Sequence, residues 1–107
     1  MSATFDKIKA LIIADNINVS QHAFARLTKR GIASDDLVAG IGNAEVVEDY
    51  PTFYSGSAVL VLCHGRDGGP LHAVWGLENG THEPAVLITA YRPDPARWQP
   101  DNRTRRP

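Results

Sequence analysis

Two strand-like runs, Ser57–His64 and Leu71–Leu77, are separated by the tetrad Arg66-Asp67-Gly68-Gly69. Adjacent glycines supply the positive φ of a tight hairpin turn, so the two runs must be antiparallel neighbours. That turn commits the second half of the chain to a sheet built from hairpins. Ser57–His64 is almost wholly apolar and reads as a central strand. Leu71–Leu77 alternates, with Leu71, Ala73, Trp75 and Leu77 on one face and His72, Val74 and Gly76 on the other. Glu45–Tyr50 reads as a strand stopped by Pro51, Thr52–Gly56 as a loop and Asn79–Pro84 as a turn. Ala85–Tyr91 is the last strand, expected to send Leu87, Thr89 and Tyr91 to one face and Val86, Ile88 and Ala90 to the other. Pro93 and Pro95 end regular pairing, and Trp98 folds back as an anchor.

Before Glu45 the apolar period is helical. Thr4 to Ala14 reads as a first amphipathic helix through Phe5, Ile8, Leu11 and Ile12, and Asn16–Val19 as a short link. Ser20 caps a second helix that Gly31 stops, with Phe24 and Leu27 expected on its core side. Ser34 caps a short third helix carrying Leu37, Val38 and Ile41. Helices followed by four hairpin-linked strands give an α+β two-layer sandwich: two to three N-terminal helices packed on a four-stranded antiparallel sheet.

The chain of 107 residues supports one domain, assigned to residues 1–99, with 100–107 as a flexible Arg-rich C-terminal tail. Cys63 is the lone cysteine, which excludes an intrachain disulfide and a multi-cysteine zinc site within one chain. Cys63 and His64 face opposite ways on a strand and cannot easily share an ion, so no metal or other cofactor is expected. The opening MSATFDKIKAL lacks a signal-peptide layout and no apolar run spans a membrane, so a reducing cytoplasm is expected.

A net charge of −1 argues against a general nucleic-acid coat. Its distribution says more. Between Asp35 and Glu83 lie eight acids against one base, Arg66, whereas arginines gather at Arg26 and Arg30 and again from Arg92 to Arg106. His22, Arg26 and Arg30 recur at steps of four and share one side of the second helix. An imidazole and two guanidiniums on one ridge can bind an anion and move a proton. The same spacing also suits a solvated helix face, or ion pairs from Arg26 and Arg30 to Glu45, Glu48 or Asp49.

The segments QHAFARLTKRGI, VVEDYP, LVLCHGRDGGPLHAVWGL and VLITAYRPDPARW resemble the DUF4258 domain family in order, spacing and residue type, over roughly Ser20 to Gln99. The resemblance implies a RelE-like (barnase–EndoU–colicin–RelE, BECR) fold. It further implies a small, metal-independent endoribonuclease toxin, encoded beside an antitoxin of zinc-finger or helix-turn-helix type. His22, Arg26 and Arg30 match the helix motif, His72 the histidine of the penultimate strand, and Thr89, Tyr91 and Trp98 the terminal motif.

Metal-free RNA cleavage needs a base for the 2′-OH proton and an acid for the 5′-oxygen, and His22 and His72 are the candidate pair. Arg26 would stabilise transition-state charge, and Tyr91 would orient the 2′-OH or a phosphate oxygen. Arg30, Arg92, Thr89 and Trp98 are candidate RNA contacts. Against this, His72 suits a half-buried structural role, and the acidic middle suits a non-catalytic module of the same fold that binds a partner protein.

Overall fold

The computed structural model describes residues 2–53, 56–77 and 83–107. Helix α1 (Ala3–Ile13) starts where the Ser2 hydroxyl accepts from the Phe5 N–H at 3.0 Å, and it buries Ile8 and Ile12. Strand β1 (Ile17–Val19) leads into α2 (Gln21–Arg30), capped by the Ser20 hydroxyl accepting from the Ala23 N–H at 3.1 Å. Gly31 ends α2 at φ 67°, and the N–H groups of Gly31 and Ile32 return to the carbonyls of Thr28 and Leu27. This pairing satisfies helix carbonyls that would otherwise be left open, and it needs the left-handed conformation that glycine adopts freely. Helix α3 (Ser34–Ala39) and a 3-10 turn (Gly40–Asn43) follow. Ser34, expected as the cap, lies inside α3; Ala33 is the capping position and makes no side-chain bond. Only Ile32 and Ala33 separate Gly31 from α3, which leaves no room for a longer lead-in.

The remaining strands are β2 (Glu45–Phe53), β3 (Gly56–His64), β4 (Pro70–Leu77) and β5 (Ala85–Tyr91). The sheet has five strands in the order β1-β5-β4-β3-β2 and is mixed. The expected four-stranded antiparallel sheet is therefore corrected: β2 to β5 are antiparallel neighbours, but Ile17–Val19 pairs parallel to β5, Ile17 opposite Ala85 and Val19 opposite Leu87. Three residues are too few to carry a readable period, so the segment passes for a link. Pro51 does not stop β2, because β2 is an edge strand where a missing N–H breaks no ladder. Tyr54 and most of the expected Asn79–Pro84 turn lie outside the described residues.

A bulge changes β5. Val74 faces Thr89 and Trp75 faces Leu87, so Ile88 is the extra residue. Leu87 and Ala90 consequently share the helix side, while Ile88 and Tyr91 pack on the opposite side. The strict alternation read from the sequence fails at that point.

Helices cover one face of the sheet, where Leu27, Leu37 and Ile8 meet Val59, Val61 and Trp75. Phe24 does not join them. The buried stripe of α2 is Ala23 and Leu27; Phe24, about 100° round from Ala23, is 60% exposed. The second face carries Ala58, Leu60, His72, Val74 and Tyr91 and is covered by Trp98. Residues 100–107, expected as a flexible tail, dock there as the return arm of a small hairpin. Gln99 N–H donates to Thr104 O and Arg106 N–H to Arg97 O, both at 2.8 Å. Asp101 closes its turn by accepting from the N–H groups of Arg103 and Thr104.

At Gly31 no atom lies within 4 Å of an added Cβ, so any penalty there is conformational. Gly31→Ala should cost about 1–2 kcal/mol in denaturant unfolding, and Gly31→Asn clearly less, because asparagine tolerates the left-handed region. Equal losses for the two would contradict the account of this cap.

Candidate functional site

On the second face, β4 delivers His72 and β5 delivers Tyr91 directly opposite it. Trp98 lies against His72 edge to face, with centroids 4.5 Å apart, and Tyr91 makes a similar contact at 5.4 Å. His72 is fully buried, and its Nε2 lies 2.7 Å from the Asn102 carbonyl oxygen. A carbonyl only accepts, so Nε2 carries the proton. Nδ1 has no partner among the described residues. Burial holds the His72 pKa below its ordinary value, partly opposed by the Asn102 carbonyl, and a neutral ring follows.

Beside this stack, the Arg105 Nε and an Nη donate to the two oxygens of Glu48 at 2.7 and 3.0 Å. The Arg105 guanidinium lies 4.6 Å from the Trp98 ring centroid, and Tyr50 donates its hydroxyl to Glu48. The hydrogen-bonded Arg105 holds the Glu48 carboxyl down at about 2. Burial, then the bond to Glu48, pushes Tyr50 up to about 12. Arg103 pairs with Glu45 at 2.9 Å. Two of the three carboxylates considered as partners for Arg26 and Arg30, Glu45 and Glu48, are thus engaged by the C-terminal hairpin.

Arg30 turns from α2 toward β5 and donates to the Ala90 carbonyl at 2.7 Å and to the Thr89 hydroxyl at 3.3 Å. Arg92 reaches back to the Arg30 and Gly31 carbonyls at 2.6 and 3.3 Å. Each arginine therefore clamps the element that carries the other. Next to them an open cleft of about 380 Å³ is lined by Tyr91, Arg92, Asp94, Arg97, Trp98 and Arg105. Three arginines face one aspartate, and the Arg97 side chain has no partner among the described residues. Burial raises the Tyr91 pKa, so its phenol stays protonated at neutral pH.

Of the residues singled out in the sequence, Tyr91, Trp98, Arg92, Arg30, Thr89 and His72 gather around this region. His22 and Arg26 do not join it by any contact; both are exposed on α2, which packs on the other face of the sheet. By helix geometry His22 lies about 12 Å along the axis from Arg30. His22 and His72 therefore share no face. Sequence reasoning gave Glu48 the wrong arginine as partner and assigned no site role to Asp94, Arg97, Asn102 or Arg105. The arginine run was visible, but its partners lie more than fifty positions away, beyond any local spacing. Cys63 is buried and raised to about 11 by that burial, which makes it a poor nucleophile. Among the described residues no three His, Cys, Asp or Glu side chains group to hold a metal ion. No helix among them is long and apolar enough to cross a membrane.

A family model described as a domain of unknown function, DUF4258, matches residues 19–92, from β1 through the β5 strand that carries Tyr91. The chain belongs to the DUF4258 family. No curated protein and no solved structure matches it. In this DUF4258 protein the match stops at Arg92, so the hairpin that buries His72 and pairs with Glu48 lies beyond the shared region.

Two groups tie stability to pH. The folded pKa of His72 lies below its ordinary 6.5, so the unfolded chain takes up a proton first. Its contribution is complete above pH 6.5 and declines as pH falls below it. Glu48, lowered from 4.5 to about 2, contributes fully above 4.5 and loses that contribution between 4.5 and 2. Denaturation midpoints followed downward in pH should fall in these two windows. His72→Gln should flatten the upper window and Glu48→Gln the lower.

Proposed function

We propose that this protein is a metal-independent endoribonuclease, and that RNA is held in the cleft between Tyr91 and Trp98. The observation that carries the reading is the cleft itself: three arginines, of which Arg97 has no side-chain partner among the described residues, beside a protonated phenol and one carboxylate. Arg97, with Arg92 beside it, binds the non-bridging phosphate oxygens and stabilises charge that grows in the pentacoordinate transition state, while Arg105 stays bonded to Glu48. The 2′-oxygen bonds to phosphorus as the bond to the 5′-oxygen breaks. Asp94 takes the 2′-OH proton and the Tyr91 phenol supplies one to the departing 5′-oxygen, leaving a 2′,3′-cyclic phosphate and a 5′-OH. His72 is a positioning residue, set behind Tyr91 and Trp98. Arg26, one turn before Arg30 on α2, offers a further cation to the RNA backbone, and His22 takes no step in this reading.

The α+β architecture, with helices on one face of the sheet, is compatible with a RelE-like fold. In that setting the protein acts in the cytoplasm as the toxin of a toxin–antitoxin pair. A second reading, a non-catalytic module that binds a partner protein, draws on Phe24, which is 60% exposed on α2.

Cleavage of single-stranded or ribosome-bound RNA should persist in EDTA and stop on a substrate with a 2′-deoxy sugar at the cut site. Tyr91→Phe should slow it roughly 10²–10⁴-fold, and Arg97→Ala on the order of 10²-fold. Circular dichroism must show both variants folded. If His22→Ala abolishes cleavage and Asp94→Asn does not, the base is His22. An inert wild type that binds its neighbouring gene product tightly, with binding lost in Phe24→Ala, establishes the second reading.

A further inference from the structure

The Arg105 guanidinium sits in a seat with two recognition surfaces. Glu48 accepts two parallel N–H bonds in the plane of the group, at 2.7 and 3.0 Å, and the Trp98 indole lies against its face at 4.6 Å. Tyr50 donates to Glu48 and fixes the carboxylate's orientation. Glu48 and Arg105 retain 29% and 57% side-chain exposure, so the carboxylate side of the seat opens to solvent, and Trp98, 3% exposed, is uncovered when the Arg105 side chain swings away. Filling the seat with another two-donor group replaces one bidentate charge-assisted pair by a second, so the carboxylate is not left unpaired.

The N1–H and N2–H edge of guanine is itself a planar, cyclic guanidine. It offers a carboxylate the same two parallel donors, and its ring offers an indole a larger stacking face. We propose that Glu48 and Trp98 form a guanine-binding seat, which Arg105 occupies in the resting chain. The proposal rests on the RNA reading of the adjoining cleft and deepens it by naming the base. Adenine presents a bare N1 lone pair at the corresponding position and is repelled by the carboxylate, whereas uracil and cytosine have less surface to stack. An arginine from a partner protein has the same in-plane donors. The cations Arg92 and Arg97 beside the seat repel such a side chain and attract a phosphate, which favours a nucleotide.

The test is titration of the full chain with guanosine 3′-monophosphate and adenosine 3′-monophosphate, read by tryptophan fluorescence. Trp75 is buried on the helix side, so a response reports Trp98. Emptying the seat with Arg105→Ala should tighten the guanine nucleotide roughly tenfold or more over wild type and leave the adenine nucleotide unchanged. Arg105→Lys keeps the charge and the hairpin while losing the fork, and should move binding the same way by less. Adding Glu48→Gln to either variant should erase the guanine preference. Equal affinity for the two nucleotides in both Arg105 variants overturns the seat. So does tighter binding of N-acetylarginine amide than of the guanine nucleotide. If both nucleotides bind alike and Arg97→Ala weakens both, the RNA reading stands and the seat alone falls. If no nucleotide binds any of these proteins, both fall together.

Discussion

The pairing of β3 with β4 creates the demand that the rest of the molecule answers. Every residue from Ala58 to Cys63 and from Leu71 to Leu77 is buried, on both faces of the sheet. A strand pair apolar on both sides needs two covers, whereas an antiparallel sheet with one wet face needs only one. The helices supply the first cover. Trp98 and the C-terminal hairpin supply the second, over a smaller and more polar patch. The candidate site forms where that second cover meets the sheet, because the patch includes His72 and Tyr91 and the cover brings Arg105 and Asn102.

Much of the fold was legible because its signals are local. Ser20 and Gly31 bracket α2 as their capping chemistry requires, and Gly68 takes the positive φ, 80°, that the β3–β4 turn needs. Trp98 folds back as an anchor, as the prolines before it suggested. What escaped depends on distant pairing. β1 becomes a strand only because β5 offers it an edge. The Ile88 bulge is invisible in a run of residues that alternates without fault. Phe24 looked like core because it is large and apolar, but the small Ala23 sets which side of α2 lies close to the sheet.

The candidate site shows the same division. Tyr91 and Trp98 were legible as motif residues, and the structure brings them to one cleft. The histidine pair did not assemble, since strand parity puts His72 on the face away from α2. The arginine-rich end and the acidic middle looked like separate features of composition. They are two halves of one contact: Arg103 with Glu45 and Arg105 with Glu48. Near-neutral net charge therefore coexists with a cleft whose wall is cationic, because Glu45 and Glu48 are paired along β2, away from that wall.

Arg30 also has a consequence for how the molecule behaves among copies of itself. β1 covers β5 only from Ala85 to Leu87, so the upper part of β5 is an open sheet edge. Open edges invite a foreign strand to add on, and proteins commonly guard them with charge. Here the guard is a guanidinium from the neighbouring helix, already bonded to the Ala90 carbonyl that an incoming strand would have to claim. A newcomer must displace an ionic hydrogen bond and then lie beside a fixed positive charge. One side chain thus makes a three-residue strand sufficient to finish a sheet.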